Sequence, residues 1–437
     1  PILFAEYTFA DKKDIDNYLT LVSQINDFFN QICEFQILKA KNNSFLGSET
    51  CNLVIKQCIS FLAENKPKDN LFHTSFVSKI SNCKFLSDSE KNNYINKNLD
   101  LINSSVFPGY NKIISSLKYL QKSGYCKNNK GICHLKNGKS YYEFLVKNYT
   151  GSSKSVLELK SDIQSRLMKD MRTMYSILTV NPELENMFYS EEHKSKSPQA
   201  ILKELNSKYT DDFPNIGNIN YTVKYVDENL QDYLSPAFFL TPAIDDTNNN
   251  VIYINKSDAF SKQDIYTTLA HEGIPGHMYQ SAFFIQTNPL PVRHILSYGG
   301  YTEGWATYVE FLSYSYEYSD QRLAKALSCS ASYSLALYSL CDIGINYEGW
   351  SFKETKDFLK NYNITGDDIC KNIYQTVINE PANYLQYYVG YLEITALKEK
   401  VQKQLGTDFN LKDFHKSFLT IGPADFKTVE KWIYTFY

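Results

Sequence analysis

The sequence predicts a mainly α-helical protein that carries one small β-sheet. Two observations support this prediction. Apolar residues recur every three or four positions over most of the chain, and they alternate only between residues 221 and 255. With 437 residues, of which 43% are hydrophobic and 21% charged, the chain is long enough to bury a large core.

Helical periodicity begins near residue 12 and extends to about residue 215. The first long stripe, residues 14–35, places apolar and tyrosine side chains at intervals of three and four. Similar stripes cover residues 51–62, 112–120, 141–146 and 156–178. Ser197 and Pro198 supply a cap and a first-turn proline for a further helix over residues 200–205.

The pattern changes at about residue 218. Three segments alternate as short strands, residues 221–226, 237–240 and 251–254, with a polar turn at 245–250 before the last. We expect them to form a small antiparallel sheet. After residue 264 the helical period returns, over residues 305–316, 323–343, 355–359 and 387–398. The chain thus divides into an N-terminal helical part, residues 1–215, and a second part, residues 216–437, which we expect to form one continuous body.

Composition limits the partners and the location of the protein. The formal net charge is −3, without the basic face that a nucleic-acid partner would need. No apolar run approaches the ~18 residues of a membrane-spanning helix. Cys126 and Cys133 flank a polar turn and could form a disulfide in an oxidising compartment, although free thiols are the favoured alternative because sequence alone fixes cysteine pairing poorly. The chain starts at Pro1 and enters an ordered-looking segment, so we expect further sequence upstream.

The segment HEGIPGH, residues 271–277, places two imidazoles and a carboxylate close together. In HExxH motifs the histidines are four residues apart and share one helix face. Here they are six apart, which on a regular helix would separate them by roughly 120°. Pro275 clashes with the carbonyl four residues before it, and Gly276 tolerates unusual backbone angles. We therefore predict that Pro-Gly distorts the helix and returns His277 to the side of His271.

These residues predict a catalytic zinc site. His271 and His277 are candidate ligands, and Glu303 is the candidate third ligand. Glu272 follows the first histidine, as the general base does in HExxH enzymes. Glu310 lies seven residues beyond Glu303 on the same helix face, as a reserve ligand or as the partner of a histidine N–H. The alternative is an ordinary His-Glu pair at the edge of a core.

The two motifs resemble those of the bacterial domain of unknown function 885 family, predicted zinc metallopeptidases of the gluzincin type. That family carries HExxPGH and EGWAxY segments, and this chain has HEGIPGH and EGWATY. The likeness covers most of residues 1–400 and includes GICHLKNGKSYYEFL at 131–145, the strands at 235–242 and 251–255, and EPANYLQYYVGYLEI at 380–394. In the last segment Ala382 and Asn383 replace Gly-Gln. The resemblance implies a multi-helix, gluzincin-like body with zinc on His271, His277 and Glu303.

Other residues near the motifs are weaker candidates. Tyr387 matches a tyrosine of the family's late segment, and either it or Tyr388 could donate a hydrogen bond to an oxyanion, with core packing as the alternative. Arg293 could bind a substrate carboxylate, and His294 could support a ligand histidine. For both, an ordinary structural contact is the alternative.

The expected function is zinc-dependent hydrolysis of peptide bonds. We expect a peptide substrate to lie along the sheet and to pair with the strand over residues 237–241, which includes Phe239. Two alternatives stay open: a zinc hydrolase of another amide or ester, and a non-catalytic exported binding protein. Because relatives with intact starts are commonly lipid-anchored, the resemblance implies an extracytoplasmic protein anchored through its upstream segment, and a cytoplasmic location stays open.

Overall fold

The protein is mainly α-helical, as the sequence predicts. The computed structural model describes residues 1–63, 66–190, 196–260 and 265–437. These residues form two compact units, one of residues 1–129 with 227–233, and one of residues 130–226 with 234–437. The change from helical to strand pattern near residue 216 therefore falls inside the second unit.

The first unit consists of helices around two apolar clusters. Residues 14–35, which the sequence predicts as one stripe, belong to two helices that meet at Gln24. The hydroxyl of Ser105 donates to the Ser23 carbonyl and accepts from the Asn26 amide, so a distant residue supports the break. The helices of this unit are α1 (Ile2–Glu6), α2 (Lys12–Ser23), α3 (Ile25–Lys41), α4 (Ser48–Ala63), α5 (Leu71–Asn82), α6 (Asp88–Leu101) and α7 (Phe107–Lys122).

The second unit contains the largest apolar core of the described residues. Ser197 caps α11 through the Ala200 amide, as predicted. The helices of this unit are α8 (Gly138–Thr150), α9 (Val156–Val180), α10 (Glu185–Phe188), α11 (Pro198–Lys208), α12 (Tyr266–Glu272), α13 (His277–Gln286), α14 (Gly299–Glu317), α15 (Gln321–Ile343), α16 (Phe352–Lys360), α17 (Asp367–Asn379), α18 (Asn383–Leu405), α19 (Leu411–Ile421) and α20 (Phe426–Trp432).

Two glycines bring α14 and α18 unusually close together. A Cβ atom at Gly304 would lie 2.5 Å from the Cα of Gly390, and one at Gly390 would lie 2.7 Å from the Cα of Gly304. No other residue type fits at either position without moving a backbone. This contact explains the glycine of EGWATY, and it places the start of α18 beside the acidic face of α14.

The small sheet is mixed, so the predicted antiparallel arrangement is wrong for one pair. The strands are β1 (Tyr221–Tyr225), β2 (Ala237–Leu240) and β3 (Asn250–Ile254), in the order β1-β3-β2. β2 is antiparallel to β3, but β1 is parallel to it. A long connection separates β1 from β2, so β1 can pair with the far side of β3 instead of forming a hairpin. The alternation of apolar and polar residues predicts which side chains share a face of the sheet, but it does not predict the order or the direction of the strands.

The cysteines provide no cross-link in the structure, where all nine are free thiols. In the first unit, the Cys126 thiol is a hydrogen-bond partner of Cys51, and burial raises the pKa of Cys51 to about 12. In the second unit, the Cys133 thiol donates to the Ile345 carbonyl at 3.4 Å. Cys126 and Cys133 therefore do not form the disulfide that the sequence leaves open.

Candidate metal centre

The HEGIPGH segment is a break between two helices, as its proline and glycine predict. α12 ends at Glu272, and α13 begins at His277. At Gly276 the chain passes so close to the preceding turn that a Cβ atom would lie 1.8 Å from the His271 carbonyl oxygen. The break brings the two imidazoles together, with ring centroids 4.8 Å apart and planes at 82°.

Trp305 supports this break from α14. Its indole is fully buried, and its N–H donates to the Pro275 carbonyl at 2.9 Å. The tryptophan of the second motif therefore bonds to the proline of the first. Sequence reasoning missed this role, although the presence of both motifs in one chain was a signal that they interact.

The two histidines face the same carboxylate oxygen. The Oε2 atom of Glu303 lies 3.6 Å from Nε2 of His271 and 3.2 Å from Nε2 of His277. Ligands placed tetrahedrally around zinc at about 2.0–2.1 Å are separated by about 3.3 Å, since a tetrahedral edge is about 1.6 times the bond length. The two distances bracket that value, so the separation of the Glu303 oxygen from each imidazole nitrogen is compatible with a shared zinc ion.

Glu272 belongs to the same cluster but has a different partner. One ligand atom from each of His271, Glu272 and His277 lies within 4.8 Å of the others. The Oε2 atom of Glu272, however, accepts the Phe239 amide of β2 at 2.8 Å. Glu303 is therefore the better third ligand, and the Glu272 carboxylate is held between the sheet and the histidines, where a general base would stand.

Glu310 orients the first histidine. Its Oε2 atom lies 2.9 Å from Nδ1 of His271, on the opposite side of the ring from Glu303. A proton on Nδ1 leaves the lone pair of Nε2 free for a metal, and a carboxylate at Nδ1 makes the imidazole more basic. Of the two roles predicted for Glu310, the geometry matches the partner of a histidine N–H.

The charge of the cluster favours a cation. Burial opposes protonation of His271, but hydrogen bonds to Glu303 and Glu310 and the charge of Glu272 raise its pKa well above the usual value. Burial also opposes ionisation of Glu303, yet hydrogen bonds and charge from the two histidines lower the pKa of this carboxyl. The negative charge of the three carboxylates thus stabilises a positive charge between them. A divalent cation can supply that charge in place of a proton on an imidazole.

The structure brings Tyr387 to the centre and not Tyr388. The Tyr387 ring stacks near that of His271, with centroids 6.2 Å apart and planes at 25°. Burial, and then the charges of Glu303 and Glu272, raise the pKa of Tyr387, so its phenol keeps its proton as a donor. Tyr388 is fully buried, and its hydroxyl lies 3.1 Å from that of Ser332.

Two cavities adjoin the centre within the second unit. One, of about 460 Å³, is lined by His277 and Glu303 and by Phe239 of β2, and we call it the arginine cavity because Arg293 also lines it. The other, of about 500 Å³, is lined by His271, Glu310 and Tyr387, and we call it the tyrosine cavity.

Arg293 and His294 both line the arginine cavity. Nη2 of Arg293 donates to the carbonyls of Ile421 and Pro423 at 2.9 and 3.0 Å. The His294 ring packs against that of Phe284, with centroids 6.0 Å apart. The sequence suggested that His294 could support a ligand histidine, but the residue at Nδ1 of His271 is Glu310.

The fold and the cluster define the class of protein: a mainly α-helical chain with a His-His-Glu cluster beside a three-stranded sheet. The chain belongs to the family described as "Bacterial protein of unknown function (DUF885)", whose profile matches residues 1–433. The resemblance seen in the sequence is thus confirmed at the level of the family.

Two solved structures have a similar fold. One is described as "the putative lipoprotein from Colwellia psychrerythraea", with a TM-score of 0.85 and 22% identity over 100% of this chain and 78% of that one. The other is described as "a putative lipoprotein of unknown function from Shewanella oneidensis", with a TM-score of 0.62 and 17% identity over 98% of this chain and 80% of that one. No curated protein matches the sequence. Among the described helices, none is long and apolar enough to cross a membrane.

Proposed function

We propose that this protein is a zinc-dependent hydrolase that cleaves peptide bonds. The observation that carries the proposal is the convergence of two imidazole Nε2 atoms on one Glu303 oxygen at 3.2 and 3.6 Å, with a second carboxylate beside them. Three protein ligands leave a fourth position for water or substrate, which is the arrangement of catalytic zinc sites. When bound there, zinc would polarise the scissile carbonyl and lower the pKa of the attacking water.

Glu272 acts as the general base. Its carboxylate accepts the Phe239 amide through one oxygen, which holds the side chain in place and leaves the other oxygen for a proton. It takes a proton from the attacking water and delivers it to the leaving amine. Tyr387 donates a hydrogen bond from its phenol to the carbonyl oxygen as negative charge develops there, and keeps its proton.

The substrate lies along β2. β2 is an edge strand of the three-stranded sheet, and the Phe239 amide points away from β3, toward Glu272. Residues near the two ends of this strand line the two cavities, Ser235 the tyrosine cavity and Thr241 the arginine cavity. An extended peptide that pairs with this edge on either side of the Phe239 amide, which stays bonded to Glu272, would therefore pass the cluster and reach both cavities. We also propose an extracytoplasmic, lipid-anchored location, since both similar structures are described as lipoproteins.

Glu272→Gln is the direct test, because it removes the base and preserves the shape of the side chain. The variant should bind about one zinc per chain, as the wild type should, and should lose nearly all turnover on a peptide mixture. Metal content is measured by mass spectrometry and turnover by release of new amino termini. His277→Ala should lose both zinc and turnover.

The outcomes separate the three candidate functions. Turnover of acylated small molecules without turnover of peptides would identify a hydrolase of another amide or ester. Stoichiometric zinc without turnover of either class would favour a binding protein. Absence of zinc from the wild type after reconstitution would refute the proposed centre.

A further inference from the structure

We propose that the arginine cavity binds the carboxyl-terminal end of the substrate, with Arg293 binding its free carboxylate and the apolar walls binding its last side chain. This inference rests on the proposed function and adds to it the direction and the end of the chain that is cleaved. The protein would then act as a carboxypeptidase that releases a short, apolar C-terminal piece.

The charge of the cavity supports this assignment. Among the described residues that line it, Arg293 is the single permanent cation and Glu303 the single acid. A substrate that reaches from the His-His-Glu cluster into this cavity therefore meets one fixed positive charge beyond the scissile bond. Such a charge selects an anion, and arginine is the side chain best suited to a carboxylate.

Among the described residues, no carboxylate forms an ion pair with Arg293, whereas Arg166 and Arg322 of the same unit each have one. Arg166 donates to both carboxylate oxygens of Asp170 through Nε, and Arg322 donates to Asp320 through Nε and Nη2. Within the described residues, the hydrogen bonds of Arg293 go to two backbone carbonyls, through Nη2 alone. These bonds fix the guanidinium at the C-terminal end of α19, where the partial negative charge of the carbonyls offsets less than a full positive charge. Nε and Nη1 stay available for a ligand.

The walls and the volume indicate what carries the carboxylate. Phe239, Pro242, Phe284 and Leu296 are among the apolar lining residues. The volume of about 460 Å³ lies in the lower part of the range for small-molecule sites, about 300–1,000 Å³. An apolar C-terminal residue supplies both a carboxylate and an apolar side chain, whereas a phosphate or an internal acidic side chain supplies only the charge.

The tyrosine cavity has the opposite charge. Glu310 and Glu380 line it, and no lysine or arginine is among its described lining residues. A short peptide whose chain runs in the same direction as β2 would place its amino end on this acidic side and its carboxyl end at Arg293. The opposite charges of the two cavities thus favour the same orientation of the substrate as Arg293 does, with its carboxyl end in the arginine cavity.

The test compares pairs of peptides that differ only in the C-terminal group, a free acid or an amide, each ending in leucine. The zinc-loaded wild type should cleave the acid with a kcat/KM about ten- to a hundredfold higher than the amide, the usual range for a hydrogen bond to a charged group. Arg293→Gln should remove this difference by lowering the acid to the level of the amide. Arg322→Gln, an exposed arginine of the same unit, is the matched control and should preserve the difference.

Binding provides a readout that does not require turnover. Calorimetry on Glu272→Gln, both zinc-loaded and metal-free so that direct ligation of the carboxylate by zinc is recognised, should in both forms show tighter binding of N-acetyl-leucine than of N-acetyl-leucinamide, again by about tenfold or more. This measurement decides the question even if Arg293→Gln fails to fold. Equal cleavage of acid and amide by the wild type would refute the inference and leave the peptidase intact. No cleavage of either, together with preferential binding of the acid, would refute the proposed function and leave the carboxylate site intact.

Discussion

Replacement of Glu310 by glutamine tests whether the proposed zinc centre is organised as the geometry indicates. The side chain keeps its size, but the group 2.9 Å from Nδ1 of His271 loses its charge. Removal of such a partner of a ligand histidine typically lowers metal affinity about 10- to 100-fold, or about 1.4–2.7 kcal/mol. We expect the zinc Kd of Glu310→Gln to rise by this factor, because the imidazole becomes less basic and less well oriented.

The assay is a competition with a chelator of known zinc affinity, followed by thermal unfolding with and without zinc. A tenfold weaker Kd should reduce the stabilisation by saturating zinc by about 1.4 kcal/mol at fixed zinc concentration. Glu399→Gln, an exposed glutamate on α18, is the control and should match the wild type. If Glu310→Gln binds zinc within twofold of the wild type, the orienting role of Glu310 is wrong.

Three further predictions follow from the geometry of the second unit. Gly276→Ala should abolish zinc binding and destabilise the fold, because its Cβ would lie 1.8 Å from the His271 carbonyl oxygen; equal zinc content and melting temperature would contradict the account of the helix break. Tyr387→Phe should lower kcat about 10²- to 10³-fold and leave the zinc content unchanged, because one oxyanion donor is lost. Tyr388→Phe should preserve kcat and lower the free energy of unfolding by about 1 kcal/mol, because the contact with the Ser332 hydroxyl is lost. Burial raises the pKa of Asp342 to about 7, so the stability contributed by the protonated carboxyl is complete below the unfolded pKa near 4 and is lost as pH rises toward 7. In denaturant titrations, the stability of the wild type relative to Asp342→Asn should therefore fall by on the order of 4 kcal/mol over that range. Parallel pH profiles of the two proteins would contradict this prediction.

The presence of both motifs in one chain has a structural explanation that neither motif reveals alone. Trp305 bonds to the Pro275 carbonyl, and Gly304 contacts Gly390 of α18. The helix break, the acidic helix α14 and the helix of Tyr387 are thus connected by two contacts from neighbouring residues of α14. Ala382 occupies the position where the family's pattern has glycine, and it adopts a left-handed φ of 66°. That backbone conformation favours glycine, which explains the residue type of the family's pattern.

Local residue patterns determined the helical class, the positions of the strands and the ligands proposed for zinc. Apolar periodicity depends on neighbours three or four positions apart, and the Pro-Gly break acts on the turn that contains it, so both can be read from adjacent residues. The order and direction of the strands, the bond between Glu272 and the Phe239 amide, and the choice of Tyr387 over Tyr388 depended on the tertiary structure. Each of these follows from how separate elements pack, and that packing is set by contacts between residues far apart in the chain.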